Sequence, residues 1–482
     1  MWGQKTAPLG GRLISTVVLI VALGSASAIT GDAHGYEQNV VGGRAQQSDG
    51  NLEELKSELQ KAESAKGKDS PDLLPLLRKI GDAYNDTGGY VLSAPYLERA
   101  LSIAEKEHGP RHIAVAGYLE FVGMIYYMQR DAARAKEYWE RGLTIAQETV
   151  GSNHHLYGIV LHHVGMALLA LGKTQEAEEA LTKSIEILSM TTGPVSGSTV
   201  RASETLAELY LTTGQYSRAH PLLRVALAVR SGALITSAQF QTPTKNLMGS
   251  LYAAAGLHDI AEPLLRDAED AFVNAGLSSH PGLEGTLVNL AALYDAMKRP
   301  DRAATYRRRA QEIHDGNAGF SHHQGTPLRN ALAAASIPDN VRGAYANAQV
   351  GDWAIYSQGD DMPKDRVDVV KKTTTAVVLR MSSRQLGAED EKIVGLAERI
   401  EDIYGIPEAT ANPGELSLGD SKITCLVLVS EIKQAGESFE LKLYFDPDSI
   451  PMDGLIRLEV DGEMMTQIKQ YRFAGRPEQM FP

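Results

Sequence analysis

Cysteine is almost absent from this chain, which limits how the protein can be held together. Cys425 is the only cysteine in 482 residues, so no disulfide can form within the chain. The fold must come from packing alone, and a chain of this length with 43% apolar residues can supply it. Cys425 lies in an apolar segment, and we expect a small buried hydrophobic residue there rather than a reactive thiol.

Long apolar runs are also missing, with one exception at the start. Leu13–Leu23 follows Lys5 and Arg12 and precedes the small residues Ala26–Ala28, which is the order of a secretory signal peptide. The run is too short to span about 30 Å of hydrocarbon. We therefore expect residues 1–28 to be a signal peptide and no membrane span to remain after cleavage. The product would be exported to the periplasm, the cell surface or the medium, and a bacterial source is expected.

Positive charge is scarce relative to negative charge. The chain has 60 Asp and Glu against 47 Lys and Arg, which gives a net charge of −13. Loss of Lys5 and Arg12 with the signal would change this to −15 (−13 minus 2). An acidic balance argues against nucleic acid or an anionic membrane as the main partner.

Catalytic and metal-binding motifs are missing too. The sequence has no nucleophile elbow, no phosphate-binding glycine loop and no paired zinc motif. His162 and His163 lack an acidic or cysteine partner at ligand spacing, which makes a metal site there the weaker alternative. The loop Asp446–Gly454 contains three carboxylates but lacks the closing glutamate of a calcium loop. We expect a protein that is not an enzyme and that needs no cofactor or metal.

A period of 42 residues dominates the first two thirds of the sequence. Gly109, Gly151 and Gly193 mark it. Each period contains two amphipathic stretches, such as Ile113–Met128 and Asp131–Thr149. Four columns keep their character over six periods: small residues at 81, 123, 165, 207, 249 and 291, mostly tyrosine at 84, 126, 168, 210, 252 and 294, and small residues again from 93 and from 100. This pattern predicts an array of helical repeats.

A small residue, a tyrosine three residues later and two further alanine columns together resemble the tetratricopeptide repeat (TPR). The 42-residue period with its glycine-to-histidine linkers is similar to the longer variety found in kinesin light chains; the linkers here are Gly109–His112, Gly151–His154 and Gly276–Pro281. His112, His154 and His280 share one register, so we expect each imidazole to bond a helix end. The resemblance implies a right-handed helical solenoid with a concave groove, but it names no partner.

Periodicity and composition divide the chain into segments. After the signal, residues 29–50 are an aperiodic, disordered lead-in, 51–316 the solenoid, 317–346 a linker and 347–482 a β-rich domain. The solenoid comprises a capping helix at Asn51–Ser64 and six full repeats. The predicted fold is multidomain: an all-α TPR solenoid followed by a smaller antiparallel α+β domain.

Alternation of β-branched residues in the last segment predicts its strands. They are Asp352–Tyr356, Arg366–Lys371, Thr373–Arg380, Lys422–Lys433, Phe439–Phe445, Leu455–Val460 and Thr466–Phe473, with hairpin turns at 435–438 and 461–463 and one helix at Glu391–Ile403. Val350–Tyr356 and Pro451–Ile456 are similar to small β domains of exported bacterial proteins, some built like half-open lipoprotein-carrier barrels.

The resemblance places the first helix of each repeat on the concave groove. Positions three residues before the small column, and one, four and five after it, then face a partner. With one further position on the fourth repeat, this predicts a binding groove formed by Glu120, Met124, Tyr127, Met128, His162, Met166, Leu169, Arg201, Glu204 and Glu208. The alternative is that some of them pack against the neighbouring repeat. The asparagine ladder of kinesin light chains has a match only at Asn289, so their cargo specificity is not implied.

Two hypotheses about function follow. In the first, the protein is an exported, non-enzymatic interaction scaffold that binds a protein or peptide segment in its groove. In the second, the β domain is the active part, as a carrier of an apolar ligand or as a hydrolase, and the repeats recruit its substrate.

Overall fold

The computed structural model describes residues 48–86, 89–232, 238–316, 349–350, 352–357, 365–373, 376–383, 388–395, 410–418, 421–434, 437–445, 455–460, 463–472 and 479–480. The predicted signal peptide, the predicted linker 317–346 and the loop Asp446–Gly454 lie outside the described residues. The described chain forms a helical solenoid followed by an antiparallel sheet, as predicted.

The solenoid is built from helices of similar length in antiparallel pairs. They are α1 (Ser48–Lys66), α2 (Leu74–Asp86), α3 (Tyr90–His108), α4 (Ile113–Met128), α5 (Ala132–Thr149), α6 (His155–Ala170), α7 (Thr174–Thr192), α8 (Gly197–Thr212), α9 (Tyr216–Gly232), α10 (Ala238–Ala254), α11 (His258–Asn274), α12 (Pro281–Ala296) and α13 (Pro300–Gly316). A short 3-10 turn, Pro71–Leu73, precedes α2. Even-numbered helices are the first of each repeat.

The small column allows the two helices of one repeat to pack closely. A Cβ added to Gly123 would lie 2.5 Å from Nε1 of Trp139, and one added to Gly165 would lie 2.7 Å from Leu181. Trp139 and Leu181 are fully buried. A large side chain on the second helix therefore fills the space that the missing side chain on the first helix leaves.

The tyrosine column connects neighbouring repeats. The Tyr210 hydroxyl donates to Glu178 at 3.0 Å, and the Tyr294 hydroxyl donates to Glu262 at 2.7 Å. Both acceptors lie 32 residues earlier, on the second helix of the preceding repeat. At the corresponding position, His220 Nε2 lies 3.3 Å from the Tyr252 hydroxyl. These bonds fix each repeat against the one before it.

The linker histidines cap the first helices, as predicted. Nδ1 of His112 accepts from the backbone N–H of Ala114 at 3.2 Å, and Nδ1 of His154 accepts from Leu156 at 3.2 Å. His280 caps α12 in the same manner at 2.9 Å. Ser196 occupies the same place in the period and accepts from Thr199 N at 3.3 Å through its hydroxyl. The period thus preserves a capping function that imidazole and hydroxyl groups can both perform.

The C-terminal sheet is antiparallel between all described neighbours. Its strands are β1 (Trp353–Ser357), β2 (Asp365–Lys372), β3 (Ala376–Ser383), β4 (Ala388–Gly395), β5 (Thr410–Leu418), β6 (Ser421–Gln434), β7 (Glu437–Phe445), β8 (Leu455–Val460), β9 (Glu463–Arg472) and β10 (Gln479–Met480). Their order is β4-β3-β2-β1-β9-β8-β7-β6-β5, and β10 pairs with β9. Gln434 pairs with Glu437 and Val460 with Glu463, so both predicted hairpins are confirmed.

The predicted helix Glu391–Ile403 is wrong over its described part. Residues 391–395 continue β4, where Ile393 pairs with Val378 of β3. Ile393 and Val394 are both buried, because this strand is covered on its two faces and does not show alternation. The sequence also gave no signal for β5, whose centre is Asn412-Pro413-Gly414. Proline is tolerated there because β5 is at the edge of the sheet.

The sheet packs against the solenoid at its fourth and fifth repeats. Ala376, Val378 and Ile393 share one apolar cluster with residues of α8, α10 and α11. The Thr373 hydroxyl donates to the backbone oxygen of Ala255 at 2.7 Å, and Lys371 lies 3.5 Å from Asp259. Strand β4 contacts α9. The contacts involve second helices and the turn after α10.

Candidate binding site on the first-helix face

The first helices of successive repeats contact one another. Contacts join α4 to α6, α6 to α8, α8 to α10 and α10 to α12. We call the surface formed by α2, α4, α6, α8, α10 and α12 the first-helix face. All ten residues predicted to form the groove are on α4, α6 and α8.

Polar side chains cross this face from repeat to repeat at a constant offset of 43 residues. Oε1 of Glu120 lies 3.8 Å from Nδ1 of His163. Nε2 of His162 lies 2.9 Å from the Thr205 hydroxyl. The amide nitrogen of Asn289 donates to Oδ1 of Asn246 at 3.1 Å. We call these three pairs the polar ladder, since each joins the third residue before the small column of one repeat to the second residue before the small column of the next.

The two ladder histidines are neutral at ordinary pH. His162 and His163 are only 7% and 8% exposed. Burial, and to a lesser extent the charge of the nearby Arg201, lower the pKa of His163 to about 3. Burial, the neighbouring His163 and Arg201 together hold the pKa of His162 well below its usual range. Nδ1 of His163 has no hydrogen-bond partner among the described residues.

Trp139 supports this part of the face from below. Its ring stacks on His163 with centroids 5.1 Å apart and lies 5.6 Å from the Tyr127 ring. Its indole N–H donates to the backbone oxygen of Glu120 at 3.1 Å. One buried side chain of α5 thus fixes three residues of α4 and α6, so that they are held in place before any partner arrives.

Two carboxylates of the face are half-buried, and burial raises the pKa of each. Burial raises the pKa of Glu120, against the opposing effects of Arg201 and Arg78. Burial alone raises the pKa of Glu208 to about 7. Burial raises the pKa of Tyr127, and the charge of Glu208 raises it further, which places these two side chains near each other.

Most of the remaining predicted residues are half-buried. Met124, Tyr127 and Leu169 pack along one apolar cluster, and Met128 packs along the neighbouring one. Met166 is half-buried, whereas Arg201 is exposed. The face therefore combines apolar contact area with polar groups.

Two predicted groove residues require a correction, because neither is exposed: His162 is 7% exposed, and the other is Glu204. It is 6% exposed, and its carboxylate accepts from Arg230 Nε at 2.8 Å and Nη2 at 2.6 Å. The Thr244 hydroxyl also donates to it. The ladder position opposite Glu204 is Leu247, which offers no hydrogen bond. The carboxylate is instead held by a cation from the second helix of its own repeat.

The sequence-based prediction missed four members of the ladder. Of its six members only Glu120 and His162 were predicted; the other members, none of them among the predicted groove residues, are His163, Thr205, Asn246 and Asn289. Pairs of polar residues 43 positions apart were the available signal, since a helix pair that repeats every 42 residues brings position i next to position i+43.

The described residues contain no group of three or more His, Cys, Asp or Glu placed to hold a metal ion. None of the described helices is long and apolar enough to cross a membrane. Cys425 is on β6 opposite Gly414.

Comparison with known families identifies the repeats. A profile described as the tetratricopeptide repeat matches residues 72–148 and again residues 114–190. The second match begins 42 residues after the first (114 − 72), which is the same period as that of the four columns. No curated protein sequence matches the chain.

Solved structures give distant likenesses to the solenoid. The apo form of RapI has 15% identity over 56% of this chain and 93% of its own, with a TM-score of 0.46. BtubC (BKLC) from P. vanneervenii has 17% identity over 57% of this chain and 94% of its own chain, with a TM-score of 0.35. Kinesin light chain TPR-like repeats from Podosopora anserina have 22% identity over 43% of this chain and 98% of their own chain, with a TM-score of 0.35. At these scores the likenesses carry no functional information.

Proposed function

Since residues 72–190 consist of tetratricopeptide repeats, we propose that this protein is a non-enzymatic interaction scaffold that binds an extended segment of a partner protein across its first-helix face. One observation carries the proposal. The polar ladder sets hydrogen-bonding side chains at fixed intervals beside half-buried methionines on a face of packed helices.

Binding at such a face needs little reorganisation. The helices are already packed and capped, so a partner segment bears most of the ordering cost. Half-buried methionines are adaptable contacts for apolar side chains. The half-buried members of the ladder, Glu120, Thr205 and Asn246, supply directional bonds to a peptide backbone. A modest affinity is expected, because the partner loses conformational entropy when it becomes ordered.

Selection of peptides on the full chain tests this proposal. A phage-displayed library of random 12-residue peptides would be selected on the immobilised protein, and the best peptide synthesised with a fluorescent label. We expect Met166→Ala to raise the Kd of that peptide at least tenfold in fluorescence anisotropy. Met190→Ala is the matched control, because Met190 is 65% exposed on the second helix α7. Equal effects of both substitutions, or no enriched peptide, would contradict the proposal.

We further propose that the protein is exported, with cleavage after Ala28. The proposal is supported by the order of Lys5 and Arg12, the apolar run Leu13–Leu23 and the small residues that follow. Amino-terminal sequencing of the protein from its source cells would give Ile29 as the first residue if this is right. A mature protein that begins at Met1 would disprove it.

A further inference from the structure

Resting on the proposed function, we infer that the partner segment carries a lysine or arginine whose cationic group pairs with the carboxylate of Glu208, beside Tyr127. The inference specifies the chemistry of the partner, which the proposed function leaves open.

The charge of Glu208 is unsatisfied in the free protein. Three other carboxylates of the solenoid that are buried or partly buried are each paired with an arginine: Glu204 with Arg230, Glu178 with Arg218 and Glu269 with Arg309. No hydrogen bond or ion pair joins Glu208 to any residue in the described part of the chain. Removal of an unpaired carboxylate from water is unfavourable, and the pKa of about 7 reflects this. A cation from a partner would remove the penalty.

No cation of the described residues is among the causes of the pKa of Glu208. Arg201, on the same helix, acts on Glu120 and on both ladder histidines, whereas burial is the only cause of the raised pKa of Glu208. The charge of Glu208 acts on Tyr127, and an aromatic ring on the same face also attracts ammonium and guanidinium groups.

A second unsatisfied group lies on the same face. Nδ1 of His163 is buried, and it has no hydrogen-bond partner among the described residues. Its ring is stacked on Trp139, whose other neighbour is Tyr127. His163 is on α6, which lies between α4 with Tyr127 and α8 with Glu208. One extended segment that crosses these three helices can therefore pass both His163 and Glu208.

The period fixes the spacing expected in the partner. Glu208 occupies the position one residue after the small column, and Met166 and Met124 occupy the same position one and two repeats earlier. Packed helices lie about 8–10 Å apart, and an extended chain rises about 3.3 Å per residue. A bound segment should therefore carry its basic residue about three positions from one apolar residue and about six from a second.

The peptide selection described above, performed with the full chain at pH 8, tests this inference with further variants. We expect enriched peptides to share a lysine or arginine about three positions from an apolar residue. Glu208→Gln should weaken the best peptide at least tenfold, and Glu208→Lys should restore binding to a peptide whose basic residue is replaced by glutamate. Glu186→Gln, at an exposed position on α7, is the matched control and should change the Kd less than twofold.

The two proposals fail in different ways. Peptides that need Met166 but lack a basic residue, or that bind Glu208→Gln unchanged, would overturn the cationic partner and leave the scaffold intact. Peptides indifferent to both Met166→Ala and Glu208→Gln would overturn both proposals. Circular dichroism of each variant excludes loss of binding through unfolding.

Discussion

At the scale of single residues, the ionised carboxylate of Glu208 lowers the free energy of unfolding, so its effect depends on pH. Its pKa is raised to about 7 by burial, so the folded state favours the protonated form. The stability it contributes is complete below the unfolded pKa of about 4.3 and is lost as the pH rises through 7. Tyr127 is the titratable group whose pKa responds to its charge. We expect Glu208→Gln to raise the free energy of unfolding by about 1–3 kcal/mol at pH 8.

Urea unfolding at two pH values checks this prediction. The stabilisation by Glu208→Gln should be much smaller at pH 5 than at pH 8, because at pH 5 the wild-type carboxylate is already protonated in the folded state. Glu186→Gln, whose exposed carboxylate lies 2.9 Å from Lys183, should change the free energy by less than about 0.5 kcal/mol at either pH. An equal gain at pH 5 and pH 8 would show that the charge of Glu208 is not the cause.

Buried histidines make the same solenoid sensitive to acid. Burial lowers the pKa of His163 and of His220 to about 3, so the unfolded state binds more protons as the pH falls below about 6.5. Their stabilising effect is complete above that pH. It should decline by about 1.4 kcal/mol per pH unit for each histidine between pH 6 and pH 3.

Thermal unfolding followed from pH 7.5 to pH 4 measures this decline. His220→Gln should flatten the fall in the unfolding midpoint, because the variant no longer has an imidazole that gains a proton on unfolding. His108→Gln, at an exposed position at the end of α3, serves as the control. A slope that His220→Gln leaves unchanged would contradict the assignment.

At the scale of helices and strands, the capping position of the period makes a simple prediction. His154 caps α6 through Nδ1, and Ser196 caps α8 from the same place with its hydroxyl. We expect His154→Ala to lower the free energy of unfolding by about 1 kcal/mol. His154→Ser should retain most of the free energy of unfolding that His154→Ala loses. Urea denaturation at pH 7.5 distinguishes the two variants, and equal losses would mean that the imidazole stabilises by packing rather than by capping.

The elements also show which features the sequence can predict. The helices were predictable because six periods repeat the same small and tyrosine columns. The strand at residues 391–395 was not, because apolar residues at helical spacing over a short window also fit a strand in which the adjacent Ile393 and Val394 are both buried. The first-helix face, on which the candidate site lies, followed from the period. The burial of Glu204 did not, because Arg230 comes from outside the positions that define the face.

At the scale of the whole molecule, the shared core of the sheet and the solenoid predicts cooperative unfolding. Ile393 is 1% exposed and belongs to the same apolar cluster as Leu251 and Leu257. We expect Ile393→Asp to lower the free energy of unfolding by about 3 kcal/mol or more. The helical signal at 222 nm and the tryptophan fluorescence should shift together. Loss of one signal before the other would show that the two parts unfold independently.

The position of the sheet also separates the two hypotheses about function. Its contacts at Thr373 and Lys371 reach the turn after α10 and the second helix α11, whereas the polar ladder lies on the first helices. Thr373→Val removes the hydroxyl that bonds Ala255, and we expect it to lower the unfolding midpoint while changing the Kd of the selected peptide less than twofold. Lys371→Ala removes the second polar contact between the sheet and the solenoid and should likewise change the Kd less than twofold. If Thr373→Val instead abolishes peptide binding, the sheet takes part in recognition and the repeats alone do not form the site.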